Sequence, residues 1–215
     1  MKHIAIWLGV TAVVIGSVFG LIKLSDQGSS SPVLAETTVS VPAVEKTDMT
    51  YGNKNSKVVL VEYSDFQCPA CGYYSSLINQ LMAEYKEKIL YVYRNFPLPQ
   101  HKNAMISAQA AYSAGLQGKF WEMQELIFSS QKEWADSASA EETFIGFAKD
   151  LGLDMEKFKA DLKSDETINI IRAQLNGGQN IGINSTPTFF LNNKKLQNPK
   201  SLDEFKELIE KEIAK

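Results

Sequence analysis

Hydrophobic positions divide the 215-residue chain into three stretches of different pattern. The first, Ile4 to Ile22, is 19 residues without a charge, flanked by Lys2 and Lys23. A run of that length is enough to cross a bilayer as a helix, and it is longer than the roughly 7–15 apolar residues of a cleaved signal core. The one reasonable small-residue cleavage pattern, Val33-Leu34-Ala35, lies far past its end. The pattern therefore favours a retained signal anchor over residues 1–24, with a cleaved leader as the alternative. No cysteine stands directly after the run, which excludes a lipid-anchored form. The short basic start favours staying inside, which places the rest of the chain outside the cytoplasm. Residues 25–50 follow, with Gly28-Ser29-Ser30-Ser31-Pro32 and a Thr/Ser/Pro/Val mixture. They lack helical period and sustained alternation, and the composition predicts a flexible linker.

From residue 51 to 215 the pattern becomes that of one packed domain. Val58 to Tyr63 reads as a strand. Leu77, Leu81 and Tyr85, spaced by four, predict a helix with one apolar face. Ile89 to Tyr93 reads as a second strand. A strand, helix and strand of these lengths imply a parallel pair joined by a crossover. From about His101 to Gln179 the period is helical. Ala104, Ala108, Ala111 and Ala114 form a small-residue face, followed by a stripe of Phe120, Met123 and Ile127. Ser139 with Glu142 reads as a capping box, ahead of inward Phe144, Phe147 and Leu151. Asp154 and Ser164 are predicted N-caps of helices carrying Phe158 and Leu162, then Ile168, Ile171 and Leu175. Gly177-Gly178 is expected to weaken or end the last of these. Thr188 to Leu191 is a strand, Asn192-Asn193 a hairpin turn, and Lys194 the start of the partner. Ser201 with Glu204 opens a final helix that buries Leu202, Phe205, Leu208 and Ile209.

Composition narrows the function classes only a little. A formal charge of −3 and no basic stripe give no reason to propose a nucleic-acid partner. Cysteine usage says more. The chain has two cysteines, and they stand together as Cys68-Pro69-Ala70-Cys71 between the first strand and its helix. Pro69 suits the first helical position, which puts Cys68 at the helix start. Unpaired N–H groups and the helix dipole there lower a thiol pKa. Cys71 lies three residues on, on the same face and deeper, within reach of a disulfide. Cys68 is then the exposed, attacking sulfur and Cys71 the resolving one. A static bridge and half of a zinc site are the alternatives. Zinc takes about four ligands, and His3 and His101 are the only histidines. An extracytoplasmic compartment is generally oxidising, so the pair can cycle as a disulfide.

Two further positions carry chemistry. Glu62 closes the first strand in phase with Val58 and Leu60, so it points either to a buried face or, as a strand-end acid, to solvent. A buried carboxylate has a raised pKa and can exchange protons with Cys71. Pro187 directly precedes a strand, and pattern alone favours a trans bond, since only about 5–6% of such bonds are cis.

Glu62, the Cys-Pro-Ala-Cys helix start and the late Thr186-Pro187-Thr188 together resemble the thioredoxin superfamily. The long helical stretch between the second and third strands is similar to its DsbA branch. Asn95-Phe96-Pro97-Leu98 and Gly182 to Phe190 resemble bacterial membrane-anchored and secreted DsbA-like oxidoreductases. The resemblance covers about 51–215. It implies an α/β, thioredoxin-like fold with a helical insertion at about 98–180, here preceded by one N-terminal transmembrane helix. It implies that Pro187 is cis beside the cysteines, that the Thr186 backbone pairs with an extended substrate strand, and that Glu62 is the buried proton-relay acid. Pro69, Ala70, Thr186 and Pro187 become the substrate-binding residues. His101 is expected to pack at a helix start rather than to act in catalysis. No cofactor and no metal are implied.

One departure matters. The best-known strong oxidants of the branch carry Pro-His between the cysteines, and Ala70 cannot help hold a thiolate as that histidine does. The expected function is an extracytoplasmic thiol-disulfide oxidoreductase, a single-pass protein of a bacterial cell membrane. It introduces disulfides into reduced, unfolded secreted proteins, acts as a monomer, and is reoxidised by a membrane quinone-linked thiol oxidase. A reductase or isomerase is the same-class alternative, because Thr186 before the proline is shared with some isomerase-type members. A peptide-binding, chaperone-like module is the non-enzymatic one.

Overall fold

The computed structural model describes residues 40–215. The expected anchor at 1–24 lies outside the described residues. Among the described residues no helix is long and apolar enough to cross a membrane. Most of the expected linker also lies outside, but residues 40–50 do not behave as one. Val41 is buried in a core cluster, and Met49–Gly52 form strand β1. The cause sits in the second predicted strand, where Arg94 is buried and needs partners. Its guanidinium donates to Asp48 Oδ1 at 2.9 Å and Oδ2 at 2.7 Å, and to the Ala43 carbonyl at 2.8 Å. A buried charge is tolerated only when paired, so Arg94 draws this segment onto the domain.

The crossover reading holds. Strand β2 (Val59–Ser64) and β3 (Leu90–Asn95) run parallel, joined by helix α1 (Pro69–Tyr85). β1 adds antiparallel to β3. β4 (Thr188–Leu191) adds antiparallel to β2, with β5 (Lys194–Lys195) outside it, giving the order β1-β3-β2-β4-β5. Asn192 and Asn193 make the hairpin turn with φ of 46° and 66°, the left-handed region that asparagine tolerates.

Between β3 and β4 lie six helices: α2 (Ala104–Gly115), α3 (Phe120–Ser129), α4 (Gln131–Trp134), α5 (Ala140–Asp150), α6 (Met155–Leu162) and α7 (Asp165–Asn180). They fill the expected insertion. The alanine face of α2 and the Phe120, Met123 and Ile127 stripe of α3 are buried as expected. Asp154 and Ser164 cap α6 and α7 by accepting from the N–H groups of Lys157 and Thr167. The Ser139 capping box does not form: Ser139 makes no side-chain cap, and its N–H instead donates to Ser137 Oγ. Nor do Gly177 and Gly178 end α7, which continues to Asn180. Gly178 is a packing position, where a Cβ would stand 2.8 Å from the Phe96 ring.

Strand alternation sorts the sheet into two faces. Leu60, Tyr91, Tyr93, Phe189 and Leu191 pack under α1 and the last helix, α8 (Leu202–Ile213), through Ile78, Leu81, Phe205 and Ile209. Val61, Tyr63, Val92 and Phe190 pack on the other side with Phe96 and Ile183. Glu62 shares the first face, among apolar and aromatic neighbours. That placement fixes its chemistry.

Candidate active site

Cys68 is the N-cap of α1, with extended backbone (φ −73°, ψ 121°) and Pro69 at the first helical position. Its N–H donates to the Asp65 carbonyl at 3.0 Å, which closes the turn out of β2. Its side chain was expected to be open, but the residue is only 8% exposed, and Cys71 below it is fully buried. Both are free thiols here.

The two sulfurs are pushed in opposite directions. The Cys68 thiol is lowered to about 5, first by the hydrogen bond from Cys71, then by the Thr186 side chain and the N–H groups of Cys71 and Ala70, all against its burial. As a thiol, Cys68 donates to the Thr186 carbonyl at 3.4 Å. The Thr186 hydroxyl is buried with no other hydrogen-bond partner among the described residues, which leaves it for the thiolate. Cys71 is raised well above the ordinary thiol value by burial, by its hydrogen bond to Cys68 and by the Glu62 charge. Its sulfur also receives the Asp65 N–H at 3.5 Å.

Glu62 faces the buried side, and 2% of it is exposed. Burial raises its carboxyl from 4.5 to about 7, and a hydrogen bond from the Tyr91 hydroxyl (2.5 Å to Oε2) partly opposes the rise. A carboxyl that titrates near neutrality beside a thiol can take or give a proton at working pH. The Thr186–Pro187 bond is cis, as the resemblance implied and the pattern alone did not. Pro187 is buried, and its carbonyl accepts from Asn198 at 2.8 Å. Pro69 and Ala70 are exposed at the helix start, directly after Cys68, whose sulfur meets the Thr186 carbonyl. Every candidate residue named from sequence therefore gathers at one end of the sheet.

Sequence reasoning missed the frame that holds them. Asp65 Oδ1 accepts from the Gln67 N–H at 2.8 Å, and Oδ2 accepts from the Leu98 N–H at 2.8 Å. His101 Nδ1 lies 2.7 Å from the same Oδ2, so His101 braces the loop before the cysteines rather than touching either sulfur. Gln131 of α4 reaches across to donate to the carbonyls of Phe66 (2.7 Å) and Cys68 (3.0 Å). Gln67 donates to Ala135 and accepts from the Asn103 N–H. The insertion thus clamps the Cys68 turn through polar side chains. The available signal was Asp65 and Gln67 flanking Phe66, two polar residues in the turn directly before the pair.

The thioredoxin family model matches residues 44–211. Wolbachia pipientis alpha-DsbA1 shares the fold with a TM-score of 0.72 at 20% identity, covering 80% of this chain and 93% of that one. BdbD from Bacillus subtilis, oxidised, does so with a TM-score of 0.73 at 23% identity, covering 82% and 98%. Among curated sequences, the Na(+)/H(+) antiporter NhaA 1 of Mycobacterium sp. (strain KMS) is 33% identical over 175 residues, which is 79% of this chain and 27% of that protein. The chain thus spans about a quarter of the length of the curated relatives it matches. With the family model spanning nearly all of the described domain and a DsbA-like fold around it, the chain belongs to the thioredoxin family.

Proposed function

We propose that this protein is an extracytoplasmic thiol-disulfide oxidoreductase that donates its Cys68–Cys71 disulfide to reduced secreted proteins. The observation that carries this reading is the opposed tuning of the two sulfurs, Cys68 down to about 5 and Cys71 well up, beside a carboxyl near 7. A substrate thiolate attacks Cys68 Sγ, forming the mixed disulfide and breaking the Cys68–Cys71 bond. Cys71 leaves and takes a proton from Glu62. A second substrate thiolate attacks the substrate sulfur of the mixed disulfide and releases Cys68 as a thiolate. The substrate is oxidised by two electrons and the enzyme reduced. A stabilised Cys68 thiolate favours the reduced enzyme and so makes its disulfide an oxidant.

In this reading the exposed Pro69 and Ala70 and the Thr186 backbone receive an extended peptide, with Pro187 shaping the turn. An N-terminal anchor over residues 1–24 holds a monomeric domain outside a bacterial cell membrane. A membrane quinone-linked thiol oxidase returns the pair to the disulfide. Replacement of Cys71 by serine tests the exchange. The variant accumulates mixed disulfides through Cys68 with reduced client proteins. Absence of any trapped client, together with failure of the native protein to oxidise a reduced test protein, would sink the proposal.

A further inference from the structure

Glu62 has a second neighbour besides the cysteines. The Tyr91 hydroxyl that bonds it comes from β3 and is also buried. Tyr91 lines a cavity of about 340 Å³ on the flank of the domain. Tyr51 of β1, Asn79 and Ala83 of α1, and Trp121 and Glu125 of α3 are among the other residues of its wall. Tyr51, Asn79, Ala83 and Glu125 are exposed, so the cavity meets solvent. Asn79 lies about two helical turns beyond Cys71. Cys68, Pro69, Ala70, Thr186 and Pro187 take no part in its wall. One buried carboxyl thus stands between a peptide-facing front and a separate solvent-facing flank.

That placement matters for turnover. Each disulfide delivered brings a proton to Cys71 and so takes one from Glu62. A polypeptide lying over Cys68 and Thr186 closes the front, where Cys71 and Glu62 are already almost without exposure. We propose that Tyr91 is a positioning residue that joins Glu62 to the cavity under Tyr51 and Trp121, a second entrance through which protons pass while a polypeptide covers the front. The inference rests on the assignment of Glu62 as the proton partner of Cys71. Once Cys71 has taken the Glu62 proton, the Tyr91 hydroxyl passes its proton to the Glu62 carboxylate in the same shift in which it takes one from a hydronium ion in the cavity, so no tyrosinate forms, which burial and the Glu62 charge oppose. No electrons move in this transfer. The titratable groups facing Glu62 are Tyr91 and Tyr93 from β3, Cys68 at the N-cap of α1 and Cys71 within it. Glu122 and Glu125 of α3 stand at the cavity. None of these is a cation, so the Glu62 carboxylate is favoured first by the Tyr91 hydroxyl and second by the Ser64 hydroxyl.

The test compares two thiol substrates, reduced glutathione, which leaves the front wet, and a reduced unfolded protein, which covers it. Ala83→Phe narrows the cavity at an exposed helix position without touching the Tyr91 bond. It is expected to oxidise glutathione at the wild-type rate and the protein substrate severalfold more slowly. Tyr91→Phe removes the donor to the carboxylate. It is expected to move the pH midpoint of the Cys71 step upward by about one unit or more, the size of a lost charge-assisted hydrogen bond. Glu62→Gln serves as the reference and is expected to slow both substrates by about 100-fold. If Glu62→Gln runs at the wild-type rate, the role of Glu62 itself fails. If Glu62→Gln is slow but Ala83→Phe matches wild type on the protein substrate, or is equally slow on both, the second entrance fails. An unmoved midpoint in Tyr91→Phe overturns the positioning role.

Discussion

At the scale of single residues, the site is built from desolvation set against a few donors. Glu62 shows the balance most simply. Its carboxyl binds a proton more tightly in the fold than in the open chain, from 4.5 up to about 7, because burial penalises the charge. Ionising it therefore costs the folded state. The cost is absent below about pH 4.5, grows between pH 4.5 and 7, and is complete above. Glutamine at 62 keeps an acceptor for Tyr91 and carries no charge. Glu62→Gln is expected to raise the unfolding free energy of the reduced protein by on the order of 3 kcal/mol at pH 8 and to leave it nearly unchanged at pH 4. Urea unfolding at the two pH values checks this, and equal stability at pH 8 would contradict it. Cys68 has the opposite sign, a depressed thiol. Its alkylation by iodoacetamide is expected to be half-maximal near pH 5, with Cys71 protected at every pH where the fold survives. A midpoint in the ordinary thiol range would mean that the helix start and Thr186 do not hold the thiolate.

At the scale of elements, α7 shows how neighbouring residues of one type take different roles. Gly177 and Gly178 both lie within the helix. A Cβ on Gly177 would meet only Pro42 Cγ, at 4.0 Å. On Gly178 it would lie 2.8 Å from Phe96 and 3.0 Å from Tyr63, both buried rings that have nowhere to move. Gly177→Ala is expected to stabilise by about 0.5–1 kcal/mol through helix propensity. Gly178→Ala is expected to destabilise by about 1–2 kcal/mol, overpacking outweighing the same propensity gain. Denaturant midpoints moving the same way for both variants would refute the distinction.

The same helix marks what the sequence could and could not reveal. The order of elements was legible because β2, β3, α1 and the insertion helices carry strong period in their apolar residues. The continuation of α7 was not, because it depends on two rings that approach from β2 and from the segment after β3. β1 and residues 40–48 were missed for a related reason: Val41, Ala43 and Asp48 gain their partners only once Arg94 is buried. The Ser139 cap failed because a nearby serine supplied the competing bond. In the site, Cys68, Cys71 and the helix start were readable from spacing. The buried aspect of Glu62 was one of two readings, and the cis bond at Pro187 came from the family resemblance alone. The clamp from Gln131 was invisible, since it joins carbonyls more than 60 residues away in sequence.

At the scale of the molecule, two parts cooperate. The sheet with α1 and α8 supplies the helix start, the cis turn and the buried acid. The helical insertion supplies Gln131, Asn103 and His101, which fix the loop carrying Cys68. The insertion is therefore a brace for the redox pair as well as a cover. With Ala70 in place of a histidine, the thiolate is held by Cys71, Thr186 and backbone N–H groups, so how firmly it is held depends on that brace. The reduction potential of the Cys68–Cys71 pair, measured by equilibration with glutathione at pH 7, decides whether the pair donates its disulfide. Strong thiol oxidants lie near about −120 mV and thioredoxin-type reductants near about −270 mV. A disulfide donor gives a value less negative than about −200 mV, and a value at or below about −270 mV would overturn that direction.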